Sequence, residues 1–158
     1  MGGMTIEQAL RREKVRNLPR PDPASVTSGT SLGETLKTMR AAGGAAVLVC
    51  RGPRAIGIFT ERDVLDKLFG SPVDERLPID QFMTADPVSL PLDATLGEAV
   101  RMMNEKGYRN IPLIDPDGNS AGMVAARDIV LYVAEHFPTE VANLPPSMEQ
   151  TYTSPEGA

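Results

Sequence analysis

The sequence predicts a mixed α/β (α+β) fold built from two copies of one βαββα unit, and three observations carry that prediction. The first is a duplication. Leu32-Gly33-Glu34 recurs as Leu96-Gly97-Glu98, Met39 as Met103, Gly43 as Gly107, Val47 as Ile111 and Val49 as Leu113, all at a spacing of 64. Gly57 then recurs as Gly122 and Arg62-Asp63 as Arg127-Asp128 at a spacing of 65. The extra residue falls where Arg51-Gly52-Pro53 faces Asp115-Pro116-Asp117-Gly118, a turn, where an insertion costs least. The second observation is that apolar residues in each copy alternate between helical and strand periods in the same order. The third is composition: 41% hydrophobic with only 4% aromatic residues and no Trp. The core must therefore be built from Val, Ile, Leu, Ala and Met, which suits a compact α/β fold.

Each copy justifies its elements in turn. The segments around Thr27 and Ser89 read as short first strands. Ser31-Leu-Gly-Glu34 and Thr95-Leu-Gly-Glu98 are capping boxes, in which a hydroxyl satisfies a free amide of the first turn and the glutamate reaches back. Behind them Leu32, Leu36 and Met39, and Leu96, Val100 and Met103, follow helical spacing, and Gly43 and Gly107 stop the helices. Two apolar strands around a tight turn come next, Ala45 to Cys50 with Ala55 to Phe59, and Asn110 to Ile114 with Ser120 to Val124. A second helix begins near Glu61 or Ala126, with Val64, Leu65, Leu68 and Ile129, Val130, Val133 expected on its inner face. Outside the duplication, half of the 14 prolines lie before residue 25 or from Pro138 onward. The expected organisation is an N-terminal helix capped by Thr5 and a proline-rich arm (1–23), a first unit (24–70), a linker (71–81), a second unit (82–137) and a proline-rich tail (138–158).

Charge and hydropathy exclude several functions. Sixteen Lys and Arg against 21 Asp and Glu give a net charge of -5, which disfavours general attraction to nucleic acid or an anionic membrane. Ala45 to Cys50 is far shorter than the roughly 20 apolar residues that span a bilayer. Met1-Gly2-Gly3-Met4-Thr5 has neither a basic cluster nor an apolar run of the kind that directs secretion, so a cytoplasmic location is expected. Cys50, the only cysteine, reads as a small buried hydrophobe.

The chemistry-bearing segment is Gly57-Ile-Phe-Thr60-Glu-Arg-Asp63. It places a glycine near a strand end, a hydroxyl at the turn and a carboxylate in the first helical turn. A carboxylate accepts hydrogen bonds from both ribose hydroxyls at once, the Thr60 hydroxyl and free amides hold a phosphate, and Ile58 can sandwich a base. The same residues also make an ordinary helix cap, with Thr60 at the N-cap and Asp63 favouring the dipole.

This segment, together with Asp80-Gln-Phe-Met83-Thr-Ala-Asp-Pro87-Val-Ser and Arg109-Asn-Ile-Pro112-Leu-Ile-Asp, resembles a tandem pair of cystathionine β-synthase (CBS) domains, or Bateman module, over roughly residues 24 to 137. The resemblance implies two βαββα units packed through their sheets in a pseudo-twofold arrangement, helices outside, with adenosine nucleotides or related adenosyl ligands in the clefts. It also implies a disc-shaped homodimer. Carried across, the ribose-binding carboxylate falls on Asp63 and Asp128 and the hydroxyl on Thr60, but the second hydroxyl position is Ala125. The clefts should therefore be unequal, with Asp63 the better fit. Arg127 or Arg109 is expected to compensate at the second cleft, since guanidinium binds phosphate bidentately. Thr27 and Ser89 are candidate polar contacts, and Ile58, Met123, Val47 and Pro112 candidate walls of the base pocket.

Enzyme signals fail on context. Gly29-Thr-Ser31-Leu-Gly33 has the spacing of a nucleophile elbow, but its repeat equivalent is Thr95 and both are followed by a capping glutamate; His136, the only histidine, sits at a helix end. Gly52 to Gly57 lacks the lysine and hydroxyl of a phosphate-binding loop. One Cys and one His do not make a zinc site. The leading expectation is a non-enzymatic regulatory module for AMP, ADP or ATP, with NAD or S-adenosylmethionine as further adenosyl ligands, acting on a separate protein partner. The alternative is a ligand-free oligomerisation scaffold, and the third reading an enzyme acting on nucleotides.

Overall fold

A computed structural model of the chain describes residues 3–138; the tail expected over 138–158 lies almost wholly outside them. Helix α1 (Ile6–Arg12) is capped by Thr5, whose hydroxyl accepts from Gln8 N while Gln8 answers to the Thr5 amide. The first unit then runs β1 (Ser25–Thr27), α2 (Leu32–Ala41), β2 (Ala46–Arg51), β3 (Arg54–Thr60) and the one-turn helix α3 (Glu61–Asp63), which continues as a π turn over Val64–Leu68. After a 3-10 turn at Ile79–Gln81 come β4 (Thr84–Ala85), β5 (Leu90–Pro91), α4 (Leu96–Lys106), β6 (Asn110–Ile114), β7 (Ser120–Ala125) and α5 (Ala126–His136). All four long strands lie within a residue of their expected bounds.

The sheets repeat the same topology. β1 runs parallel to β2 and β5 parallel to β6, while β2–β3 and β6–β7 are antiparallel hairpins. Both hairpins carry a register shift at equivalent places, Val49/Cys50 and Leu113/Ile114. The first sheet gains a fourth strand because β4 pairs with β3 through Gly57–Ala85 and Ile58–Thr84. At the matching place 64 residues earlier stand Arg20 and Pro21. A proline has no amide to give to a ladder, and among the described residues the second sheet has three strands.

Side chains alternate across β2. Val47 and Val49 point to one core with Leu32, Met39, Phe59, Ile79 and Phe82, while Ala46 and Leu48 join Ile58 and Met123 in a layer between the units. The second unit has its own core around Leu96, Met103, Ile111, Leu113, Val124 and Ile129.

The segment expected to be an arm is instead part of that second core. Val15 and Leu18 are buried in it. The Leu96 amide donates to Glu13 O at 2.9 Å and the Val15 amide to Ala94 O at 2.8 Å. The linker does the same for the first unit: the Leu32 amide donates to Leu77 O at 2.8 Å, and Ile79 and Phe82 are buried in the first core. Val15 and Ile79, and Leu18 and Phe82, are 64 residues apart. The duplication therefore reaches further upstream than residue 24, and each unit is closed by a segment that precedes the other. In the second unit this also explains the glycine of Leu-Gly-Glu, since a Cβ on Gly97 would stand 3.1 Å from Leu10 O in the crossing segment.

The second helices bury less than expected. Ile129 is buried and Val64, Leu68 and Val133 are half-buried, but Leu65 and Val130 are 67% and 64% exposed. They lie one residue along from the inward Val64 and Ile129, about 100° around a helix, so the apolar stripe is wider than the face that packs.

Candidate functional site

Where β3 passes into α3, the Asp63 carboxylate closes the floor of a cleft of about 350 Å³ between the two units. Ile58, Thr60, Arg62 and Thr84 come from the first side, and Gly107, Tyr108, Arg109 and Asn110 from the turn between α4 and β6. Each hairpin is closed at this end in the same way: the Glu61 amide donates to Ala45 O, and the equivalent Ala126 amide to Arg109 O. A cleft of this size is within the range of small-ligand pockets.

The electrostatics are graded from floor to mouth. Asp63 is only 4% exposed, and a buried carboxylate is costly unless it is paired and hydrogen-bonded. One oxygen, Oδ2, accepts from the Thr60 amide at 2.9 Å and from the Thr60 hydroxyl at 3.3 Å. The other, Oδ1, accepts from the Thr84 hydroxyl at 3.0 Å and from Lys67 Nζ at 2.9 Å. Lys67 also donates to Phe82 O and Met83 O at 2.7 and 3.1 Å. Arg62 and Arg109 stand exposed at the cleft, and neither forms an ion pair among the described residues. The arrangement combines an acceptor with hydroxyl neighbours at depth, an apolar strand wall at Ile58, a ring at Tyr108 and free guanidinium groups outside.

Asp128 stands in the equivalent place with different company. It is 7% exposed and its carboxylate accepts from the Ala125 amide at 2.8 Å, the one side-chain hydrogen bond of Asp128 among the described residues. Thr60, Thr84 and Lys67 correspond in repeat spacing to Ala125, Arg20 and Tyr132. Arg20 lies against Gly122, 3.5 Å from Ala121 O, and Tyr132 stacks on His136 at 4.3 Å between ring centroids. Burial and the Glu13 charge push the Tyr132 hydroxyl pKa up, so it stays neutral.

Of the residues singled out in the sequence, Asp63, Thr60, Ile58 and Arg109 come together. Arg109, expected to compensate at the Asp128 cleft, lines the Asp63 cleft, because the turn before β6 also borders the other unit. Arg127 is exposed on the first turn of α5 and forms no ion pair among the described residues. Val47 is a correction: it is fully buried and faces the helix-side core, since strand alternation sends Ala46 and Leu48 to the cleft side. Pro112 and Met123 pair across β6 and β7, with Met123 packed in the layer between the units and not on the Asp63 cleft. Thr27 and Ser89 line no part of the Asp63 cleft either. The Thr27 hydroxyl meets that of Thr30 at 3.2 Å and the Ser89 hydroxyl donates to Pro87 O at 3.2 Å, so both serve local turns. Sequence reasoning passed over Thr84, Tyr108, Arg62 and Lys67. The last was visible as an Asp63–Lys67 pair at i,i+4; Thr84 sits inside a motif already noticed.

The family model for the CBS domain matches twice, over residues 15–70 and 79–135. The chain belongs to the CBS domain family. Both matches begin on the crossing segments, at Val15 and Ile79. An uncharacterised protein of Methanopyrus kandleri is 32% identical over 124 residues, 77% of this chain and 63% of that protein. The chain spans under two thirds of the length of the first curated relatives it matches. The crystal structure of a CBS-domain-containing protein from Agrobacterium tumefaciens superposes with a TM-score of 0.67 at 26% identity, covering 75% of this chain and 97% of that one. A CBS domain protein from Pyrobaculum aerophilum, solved in complex with AMP, gives a TM-score of 0.68 at 17% identity over 77% of this chain and 98% of that one. The fold is thus that of a CBS pair, two βαββα repeats with their sheets together. No helix among the described residues is long and apolar enough to cross a membrane.

Proposed function

We propose that this CBS pair is a non-catalytic regulatory module that binds an adenine nucleotide in the Asp63 cleft and acts on a separate protein partner. The observation that carries the proposal is the cleft itself, in which a buried carboxylate from one repeat faces a Tyr-Arg-Asn turn from the other. Asp63 accepts the ribose hydroxyls, Ile58 and Tyr108 flank the base, and Arg109 with Arg62 meets the phosphate. AMP in the Pyrobaculum relative of the same fold supports the ligand class. Because the ligand touches both repeats, it favours whichever arrangement of the two fits it better, by no more than its difference in affinity for them. A cytoplasmic nucleotide pool is the corresponding source.

The test is calorimetric titration of nucleotide-free protein with AMP, ATP, NAD and S-adenosylmethionine, repeated on Asp63→Ala with its fold checked by circular dichroism. Saturable binding lost in the variant supports the sensor. Absence of heat with every ligand in the folded wild type removes it in favour of a scaffold. One observation favours self-association beside either outcome: Leu65 and Phe69, and Val130 and Leu131, are exposed apolar residues on the second helices of both repeats, 54% to 84% exposed. Patches of this kind mark contact surfaces. We place a homodimer contact there; Leu65→Glu with Val130→Glu then converts a dimer to a monomer in analytical ultracentrifugation, and an unchanged mass rejects that face.

A further inference from the structure

A carboxylate offers about four acceptor directions, and all four at Asp63 are occupied from within the protein. A nucleotide must therefore displace something, and the four donors differ in how easily they leave. The Thr60 amide is fixed by the backbone at the start of α3. Lys67 is held at three points at once, Asp63 Oδ1, Phe82 O and Met83 O, which uses all three of its N–H donors. The two threonine hydroxyls are single rotors, one on each carboxylate oxygen. Turning a hydroxyl to another acceptor or to water costs little, whereas stripping an ammonium from a buried carboxylate exposes a charge to a low dielectric. The hydroxyls of Thr60 and Thr84 thus stand where a cis-diol would place its own two, while the amide and the ammonium stay.

We propose that Lys67 is a positioning residue for ribose recognition: its ammonium pins the Asp63 carboxylate, and the Phe82–Met83 backbone beside Thr84, in the orientation that receives a ribose 2′,3′-diol. The inference rests on reading the cleft as a nucleotide site. Lys67 touches no ligand atom in this scheme and acts through Asp63. It reaches the carboxylate because it lies four residues on from Asp63, within the π turn over Val64–Leu68, a distortion often found at functional sites. Tyr132, its counterpart in the second repeat, cannot supply a cation.

The experiment measures dissociation constants for AMP and for 2′-deoxyadenosine 5′-monophosphate by calorimetry on wild type, Lys67→Met, Lys67→Gln and Lys67→Arg, each confirmed folded by thermal unfolding. One hydrogen bond to a charged group corresponds to roughly ten- to hundredfold in affinity. Wild type is expected to prefer AMP by about tenfold or more. That preference should fall to within about threefold in Lys67→Met and Lys67→Gln and largely return in Lys67→Arg. Equal weakening of both nucleotides, with the preference intact, overturns the positioning role and leaves the nucleotide site standing. If wild type binds neither nucleotide, the functional reading itself fails and this inference with it. Should Lys67→Met not fold, the Gln and Arg variants carry the same comparison.

Discussion

At Asp63 four donors converge on a buried carboxylate; at Asp128, on the equivalent turn of the other repeat, one does among the described residues. The backbone frame is shared, down to the register shift in each hairpin and the amide that crosses to the preceding turn. Three side-chain differences, Thr60 against Ala125, Thr84 against Arg20 and Lys67 against Tyr132, separate the two. Duplication thus supplies a scaffold twice, while the chemistry of each cleft is decided by a few positions that drifted apart. The Arg20-Pro21 pair accounts for one of these differences and for a difference in the sheets as well, since it stands where the first repeat has the fourth strand and the hydroxyl that strand carries.

The comparison breaks most readily at the carboxylates. Asp63→Ala should weaken AMP binding by about 100-fold or more, through loss of two charged hydrogen bonds, while Asp128→Ala shifts it by under about threefold in the same calorimetric titration. Equal losses would mean that both clefts act together, and a loss confined to Asp128→Ala that the Asp128 cleft is the working one. Arg109→Ala is expected to cost roughly tenfold for AMP and nothing for adenosine, because a guanidinium recognises the phosphate and not the nucleoside. A loss for adenosine as well would assign Arg109 to the cleft wall.

The exchange of closing segments gives a stability test. Val15→Ala and Ile79→Ala, at equivalent positions and both fully buried, should each destabilise by about 2 kcal/mol in urea unfolding. Amide exchange should then rise first in the second repeat for Val15→Ala and in the first for Ile79→Ala. The reverse pattern would contradict the crossed packing.

The smallest effect concerns how the turns before α2 and α4 are tied. In the first repeat Asp80 accepts from the Ser28 hydroxyl and, at 2.7 Å, from the Gly29 amide. In the second, Arg16 Nε donates to Leu92 O at 3.3 Å. The Ser28 hydroxyl first, and then the Gly29 amide, hold the Asp80 pKa below its ordinary value. A carboxyl whose folded pKa is depressed contributes stability that is present above its unfolded pKa, about 3.9, and lost as pH falls through the folded one. The stability difference between wild type and Asp80→Asn should therefore be constant at neutral pH and shrink only below about pH 4. A difference that persists unchanged into stronger acid would show that the charge does not matter to the tie.

Much of this was legible in the chain. The spacing of 64 and 65 revealed two copies, capping boxes marked helix starts, and strand alternation marked the hairpins, because each signal lies within one element or repeats along the chain. Asp63, Thr60 and the unequal second cleft were legible for the same reason: they sit in one short motif and its damaged copy. Val47 was misplaced because an apolar residue in a strand names a buried side without saying which, and in a sheet covered on both faces periodicity cannot choose. That Arg109 reaches the Asp63 cleft was not legible, because its own repeat supplied the only frame that sequence offered.

The sequence by itself determined the duplication, the order of elements and the carboxylate that each cleft carries, since these follow from local propensity and internal comparison. Only the tertiary structure decided which segment closes which repeat, that Tyr108 and Arg109 look across at Asp63, and that Thr84 and Lys67 meet on its carboxylate. Those facts depend on contacts between residues tens of positions apart, or on a π turn that no propensity marks, and such pairings are fixed by the burial of Val15, Ile79 and the layer between the sheets, not by any pattern along the chain.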